Sequence, residues 1–285
     1  MGKGGENLNI LMAVNSAYIQ HAKVTIFSLA YHNPEPVKLY LLYSELKANE
    51  IASLERFVRR RCHGELLPVF LEKEKFEKLP IRGHFSKETY YRIYAQYLLP
   101  EEEDRILWLD ADLIVKKSIK NFYEKDFEGN CLIACEDKGN STEENIKRLG
   151  LKRGKYFNAG VLLMNLEAMR KYADQEKLEH FVNENLSLFL WQDQDILNLF
   201  FEDSVLFADI EYNYQVSSGG NFNKDKGEKS AILHYVGELK PWSHAYVWDA
   251  GKYYQSYLKR TNIIRYILLK EISWLYRLWK KRSKS

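Results

Sequence analysis

The stretch RILWLDADLIV, Arg105 to Val115, decides how this chain is read. Its apolar run has the length and composition of a core strand, yet it carries Asp110 and Asp112. Side chains alternate along a strand with period two, so both aspartates face the same way, with Trp108 and Ile114. Two like charges side by side repel, and burying either one unpaired is costly. The conflict disappears if the regular strand ends near Leu109. Both carboxylates then project from the sheet's carboxyl edge, where they can share a divalent cation, and hard oxygen ligands suit Mg²⁺ or Mn²⁺. A lysine, backbone N–H groups or water can satisfy such an edge pair equally well, so the triplet alone leaves the choice open.

The neighbouring segments give that strand a context. LNILMAV (from Leu8), VKLYLLYS (from Val37) and LLPVFLE (from Leu66) read as strands, the last with Pro68 inside it. HAKVTIFSLAYHN, KANEIASLERFVRRRC and the Tyr-rich KETYYRIYAQYLLP read as helices between them. Strands alternating with helices, with runs apolar enough to be covered on both faces, predict an α/β fold with a mainly parallel central sheet flanked by helices. Ligands of such sheets bind beyond the carboxyl ends of the strands. Further on, CLIACED, the first half of YFNAGVLLMNLEAMRKY, VLFADIEYNY and AILHYVG read as strands, and WQDQDILNLFF as a helix after a polar start.

Composition narrows the class. The chain has 285 residues, 46% hydrophobic and 28% charged, as expected of an ordinary globular protein. Its net charge of +3 hides an asymmetry. From Gln255 to Ser285 nine Lys/Arg face only Glu271, so the remainder is mildly acidic. An acidic body argues against nucleic acid. Cys62, Cys131 and Cys135 are too few, and odd in number, for a disulfide framework, and they read as buried hydrophobes. With no signal peptide pattern and no uncharged run near 18 residues, a reducing cytoplasmic setting is expected. Residues 1–254 form the expected globular unit and 255–285 a basic helical tail.

Three more clusters carry chemistry. HYVGELKPW, His234 to Trp242, offers an imidazole to complete an Asp/Asp metal site, Gly237 for close backbone approach to a phosphate, and Lys240 to neutralise it. A lone histidine beside a strand is usually structural; the combination of types argues otherwise here. WQDQD, Trp191 to Asp195, alternates amides and carboxylates suited to several sugar hydroxyls, although Asp193 also fits a helix N-cap. FNAGVLLMN places Asn158 and Gly160 at the start of an apolar run, where an asparagine can also be a plain turn residue.

Together LDAD, FNAGVLLMN, QDQDILN and HYVGELKPW, in this order between about Leu8 and Trp242, resemble the family 8 glycosyltransferases. That group holds bacterial lipopolysaccharide galactosyl- and glucosyltransferases and the glycogenins. The resemblance implies a GT-A (Rossmann-like) fold, a UDP-hexose donor, Mn²⁺, and transfer with retention to a saccharide or lipid-linked glycan. By motif, Asp110, Asp112 and His234 are the implied metal ligands. Ala13, Asn15 and Tyr18 match the segment holding uracil and ribose. Arg92, Ala111, Asn158 and Ala159 match donor contacts, and Gly237 and Lys240 the diphosphate grip. Asp193, Gln194 and Asp195 are the catalytic candidates, with Asp193 and Gln194 on the donor hexose and Gln194 beneath the anomeric carbon. One departure stands out: Asn15 occupies a position that is often acidic in the family, and Ala17 one that is often Asn, so charge assistance to the uracil N3–H is lost.

Two rival classes share some of these features. A nucleotide-sugar pyrophosphorylase would carry a Gly-rich basic loop after the first strand, and AVNSAYIQH has none. A non-catalytic nucleotide-sugar-binding protein would not need Asp110, Asp112, His234 and Lys240 together. In the tail, helical spacing groups Ile264, Leu268, Ile272, Leu275, Leu278 and Trp279 opposite Lys270, Arg277, Lys280, Lys281 and Lys284. Such a helix can lie on an anionic membrane, here the inner face, or pack on the body with a solvated basic side.

Overall fold

The computed structural model describes residues 7–72, 87–217, 222–246 and 248–282. Strands β1 (Leu8–Ala13), β2 (Val37–Tyr43), β3 (Glu65–Phe70), β4 (Arg105–Leu109), β6 (Leu132–Glu136), β7 (Phe157–Asn165) and β8 (Val205–Ala208) form a seven-stranded sheet in the order 3-2-1-4-7-6-8. β5 (Leu113–Val115), β9 (Tyr214–Gln215) and β10 (Ile232–His234) make a small second sheet in the order 5-10-9. In the large sheet only β7 runs against its neighbours, pairing antiparallel with β4 and β6. Pro68 is tolerated because β3 is an edge strand.

Period-two alternation builds two cores, one on each face of the sheet. Leu8, Ile10 and Met12 of β1 and Leu107 and Leu109 of β4 point into one core, under the helices Ile19–His32 and Ala48–Arg61. Leu11, Ile106 and Trp108 point into the other, with the helix Gln192–Phe200. Cys62, Cys131 and Cys135 are all buried and unpaired.

RILWLDADLIV is therefore not one strand but two. Regular pairing stops at Leu109, and the chain passes through Asp110–Asp112 into β5, in the other sheet. The crossing is tethered by the Ile19–His32 helix: Thr25 Oγ1 donates to the carbonyls of Ala111 (3.0 Å) and Leu113 (2.8 Å). Ser28 Oγ accepts from Val115 N (2.9 Å). KETYYRIYAQYLLP also differs from expectation. It is a 3₁₀ helix, Lys87–Tyr94, followed by one α turn, Ala95–Leu98. The helices Thr142–Leu149, Gln175–Asn185 and Lys224–Lys229 were not foreseen from the sequence.

The boundary expected after residue 254 falls inside a helix, Gly251–Thr261, whose Tyr254, Tyr257 and Leu258 are buried. A second helix, Ile263–Arg282, follows it. Leu269 and Ser273 are buried in this second helix, while Ile264, Leu268, Ile272, Leu275 and Trp279, together with Ile263, Ile267 and Trp274, are exposed. Of the expected basic side, Lys270 is exposed. Lys284 and the side chains of Arg277, Leu278, Lys280 and Lys281 lie outside the described residues. No helix among the described residues is long and apolar enough to cross a membrane.

Candidate active site

β1 and β4 are parallel neighbours from which the chain turns to opposite sides of the sheet, β2 following β1 and β7 lying beyond β4. Crevices open at such switch points, outside the carboxyl ends of the strands. A cleft of about 410 Å³ lies there. Because β7 is antiparallel to β4, its first residues arrive at the end where β4 finishes, and Asp110 N donates to Gly160 O at 2.9 Å. Because β10 pairs antiparallel with β5, His234 stands opposite Leu113, beside Asp112.

Three atoms converge in the cleft. Asp110 Oδ1 accepts from Trp108 Nε1 (2.8 Å) and pairs with Arg92 Nη2 (3.0 Å). Asp112 Oδ2 pairs with Lys240 Nζ (2.6 Å), which also donates to the Tyr235 carbonyl (2.8 Å). The remaining oxygens, Asp110 Oδ2 and Asp112 Oδ1, lie 3.9 and 3.4 Å from His234 Nε2. Asp112 Oδ1 is buried and accepts no hydrogen bond from the described residues. His234 Nδ1 lies 3.0 Å from Asn213 Oδ1, which only an Nδ1–H can satisfy, so this partner leaves the Nε2 lone pair facing the carboxylates. The three atoms lie within 4.8 Å of one another. An orphaned buried oxygen, a second free oxygen and an oriented imidazole thus fit a hard divalent cation.

The charge balance supports the same reading. Burial pulls the Asp112 carboxyl up, but the Lys240 ammonium 2.6 Å away outweighs it and holds the group well below the usual carboxylate range. Burial lowers the Lys240 ammonium while Asp112 raises it, with a net upward shift. Asp193 goes the other way. It is 3% exposed, and burial pushes its carboxyl up to about 6 despite Arg92 Nε at 2.9 Å. Arg92 bridges Asp193 and Asp110, donates to the Ala159 carbonyl and lies over the Trp108 ring, 4.5 Å from its centroid. Only a planar guanidinium can meet all four partners at once.

Gln194 is fixed at both ends of its amide. Oε1 accepts from Ala159 N (3.0 Å) and Asn158 Nδ2 (3.2 Å), and Nε2 donates to Asp137 Oδ2 (3.2 Å). Gly237 turns the loop that carries Lys240 with φ +86°, a left-handed conformation that favours glycine. Gln192, immediately before Asp193, holds φ +50° without that freedom.

Ala13, Asn15, Tyr18, Arg92, Asp110, Ala111, Asp112, Asn158, Ala159, Asp193, Gln194, His234, Gly237 and Lys240 all line the cleft. Asp195 does not. It is fully buried and accepts from Leu190 N (2.7 Å), Trp191 N (2.8 Å), Tyr156 OH (2.7 Å) and Arg148 Nη2 (3.0 Å). Its oxygens are saturated, and its part is to hold the strained turn that delivers Asp193 and Gln194. Asp137, Asn213, Gln215 and Trp191 were not singled out by the sequence reading. Asp137, Gln215 and Trp191 line the cleft, and Asn213 lies behind His234. The run VLFADIEYNY, expected to be one strand, is β8 as far as Ala208 and then a 3₁₀ turn, Ile210–Asn213, and it is this turn that brings Asn213 behind His234.

The glycosyl transferase family 8 profile matches residues 9–245. GlyF of Streptococcus pneumoniae serotype 4 is 30% identical over 240 residues, which cover 82% of this chain and 57% of GlyF. The chain therefore spans little more than half the length of that relative. The lipopolysaccharide 1,2-glucosyltransferase of Escherichia coli K12 is 27% identical, covering 90% of this chain and 79% of that enzyme. Among solved structures, the galactosyltransferase LgtC with donor and acceptor sugar analogues matches with a TM-score of 0.78. It is 24% identical over 88% of this chain and 95% of its own, and it shares the GT-A arrangement. The profile thus takes in the large sheet, the cleft, the Asp110–Asp112 crossing and the His234–Trp242 loop, and this chain belongs to glycosyl transferase family 8.

Proposed function

We propose that the chain transfers a hexose from a UDP-sugar to a glycan or glycolipid hydroxyl, with retention at the anomeric carbon and with Mn²⁺ as cofactor. The observation that carries this reading is the convergence of Asp110 Oδ2, Asp112 Oδ1 and His234 Nε2 beside Lys240. Bound there, the cation supplies charge neutralisation to the diphosphate leaving group. Lys240 adds a second positive charge, and the Gly237 turn lets the backbone come close to it. Tyr18, Asn15 and Ala13 lie at the end of β1, where a uridine would stack. Arg92 and Asp193 present a donor and an acceptor to the hexose hydroxyls. Gln194, locked at both ends, places a fixed dipole below the reacting carbon rather than a mobile nucleophile. The chemistry resembles that of glycosidases in its oxocarbenium-like transition state.

Beyond Gln194 the cleft continues to Trp191, Ser141 and Asn145, which also line an adjoining hollow with Glu144 and Arg148. Trp191 Nε1 donates to Asn145 Oδ1 (3.1 Å), presenting an indole face with polar groups at its rim. We assign the acceptor to this side. The exposed face of Ile263–Arg282 is assigned to peripheral contact with an anionic membrane, consistent with a lipid-linked acceptor.

The test is UDP release and product mass with UDP-glucose and UDP-galactose in MnCl₂. One donor should be consumed, and EDTA or Asp112→Ala should stop it. Turnover by Asp112→Ala in EDTA at the wild-type rate overturns the metal assignment. Failure of every UDP-sugar overturns the donor.

A further inference from the structure

The loop carrying Gly237 and Lys240 needs a support, because a phosphate grip works only at a fixed height above the cleft floor. That support comes from outside the motifs. Trp242, two residues after Lys240, lies flat on the imidazole of His21, with centroids 3.6 Å apart and planes inclined by 14°. His21 is buried in the Ile19–His32 helix, three residues after Tyr18. Its Nδ1 lies 2.7 Å from the hydroxyl of Tyr254, in the Gly251–Thr261 helix. Tyr18 meets the stack edge-on, 5.8 Å from His21 and 5.7 Å from Trp242. Tyr254 also packs on Trp242 at 5.4 Å. Four rings from three separate segments therefore meet behind the end of the cleft where Lys240 and Asp112 pair. Burial, reinforced by the Arg265 cation, holds the His21 imidazole down at about 3, so it is neutral at any working pH and acts by shape and hydrogen bonding.

We propose that His21 and Tyr254 are positioning residues for the donor: they seat Trp242, and through it fix Lys240, Gly237 and Tyr18, which line the cleft. The proposal rests on the UDP-sugar reading. It makes the Gly251–Thr261 helix part of the frame of the donor site. If a loosened loop is competent only about a fifth of the time, apparent donor affinity falls about fivefold, with no change in the chemistry once bound.

The experiment compares wild type with Tyr254→Phe, which removes only a hydroxyl, His21→Ala, which removes the platform, and His21→Phe, which restores a flat ring. UDP affinity is measured by calorimetry in MnCl₂, donor and acceptor KM and kcat by UDP release, and stability by thermal melting. Tyr254→Phe and His21→Ala should each raise the UDP Kd and donor KM about three- to tenfold. The acceptor KM should stay within twofold, and His21→Phe should fall between His21→Ala and wild type. A UDP Kd and donor KM within twofold of wild type in Tyr254→Phe overturn the proposal, whether or not the melting temperature drops. If His21→Ala fails to fold, Tyr254→Phe decides alone. A wild-type protein that binds no UDP overturns the donor reading and this proposal together, whereas UDP binding that Tyr254→Phe leaves unchanged overturns this proposal alone.

Discussion

Asp110 and His234 are packed against a backbone with no side chain of its own, at Gly160. A Cβ added to Gly160 would sit 2.2 Å from His234 Cε1, 2.8 Å from Nδ1 and 3.0 Å from Asp110 Oδ2. Gly160→Ala must therefore push the imidazole or the carboxylate out of register. Overpacking of this kind costs about 1–3 kcal/mol of stability. The functional loss should be larger than that cost implies: UDP release should fall at least tenfold while thermal melting still shows a folded protein. Asp193 gives a pH signature. Its carboxyl titrates near 6 in the folded chain, above the ordinary aspartate value. Lowering pH through 6 therefore relieves a buried charge and stabilises the fold at this position. On the proposed reading, the same step turns the charged acceptor offered to hexose hydroxyls into a weaker, neutral one. Donor kcat/KM should decline on the acid side with a midpoint near 6, while the melting temperature does not fall over that interval through this group. Single residues were legible where their type was unusual for its setting, as with Asp112 in an apolar run, whereas Arg92 among its tyrosines came only from the resemblance to the family motif. Asp195 misled for the opposite reason. It shares the polar run with Asp193 and Gln194, but only the three-dimensional turn shows that its oxygens are already taken.

At the scale of elements, apolar periodicity found β1, β2, β4, β6 and β7 and the longer helices. It overlooked Thr142–Leu149, Gln175–Asn185 and Lys224–Lys229, which are charge-rich and bury few apolar side chains; two residues are buried in each of the first two and one in the third. The period-two reading of RILWLDADLIV stopped being valid at Leu109, because a strand that changes sheets keeps its composition while losing its register. The last helix is legible in composition but not in placement. Leu268 and Trp274 are 51% and 60% exposed, so Leu268→Glu with Trp274→Glu should leave melting and UDP release unaltered. The double variant should lose most of its co-flotation with anionic vesicles, and undiminished flotation would remove the membrane assignment. A truncation meant to test the same point should spare Leu258, which is 2% exposed and packs in the core.

For the whole molecule, the strand order puts the β1 loop, the β4 end, the β7 start and the β10 loop around one opening, although they are far apart in sequence. The reversal of β7 could not be read from FNAGVLLMN, since a run buried on both faces carries no directional signal. Coupling through this opening has a thermodynamic readout. Ligand binding to the folded state at about 100 times its Kd adds about 2.7 kcal/mol of stability. UDP with Mn²⁺ should raise the melting temperature by several degrees, more than the sum of the two added separately, because each completes the other's site. Strictly additive shifts would mean two separate sites.

The crossing at Asp110–Asp112 has one more consequence. The ligand atoms come from the end of a large-sheet strand and from the start and end of small-sheet strands, so an ion held there would also be a rivet between two layers. Cation loss would then loosen the molecule mechanically as well as silence it chemically. The small sheet, three short strands with a single central member, would be the first part to work loose.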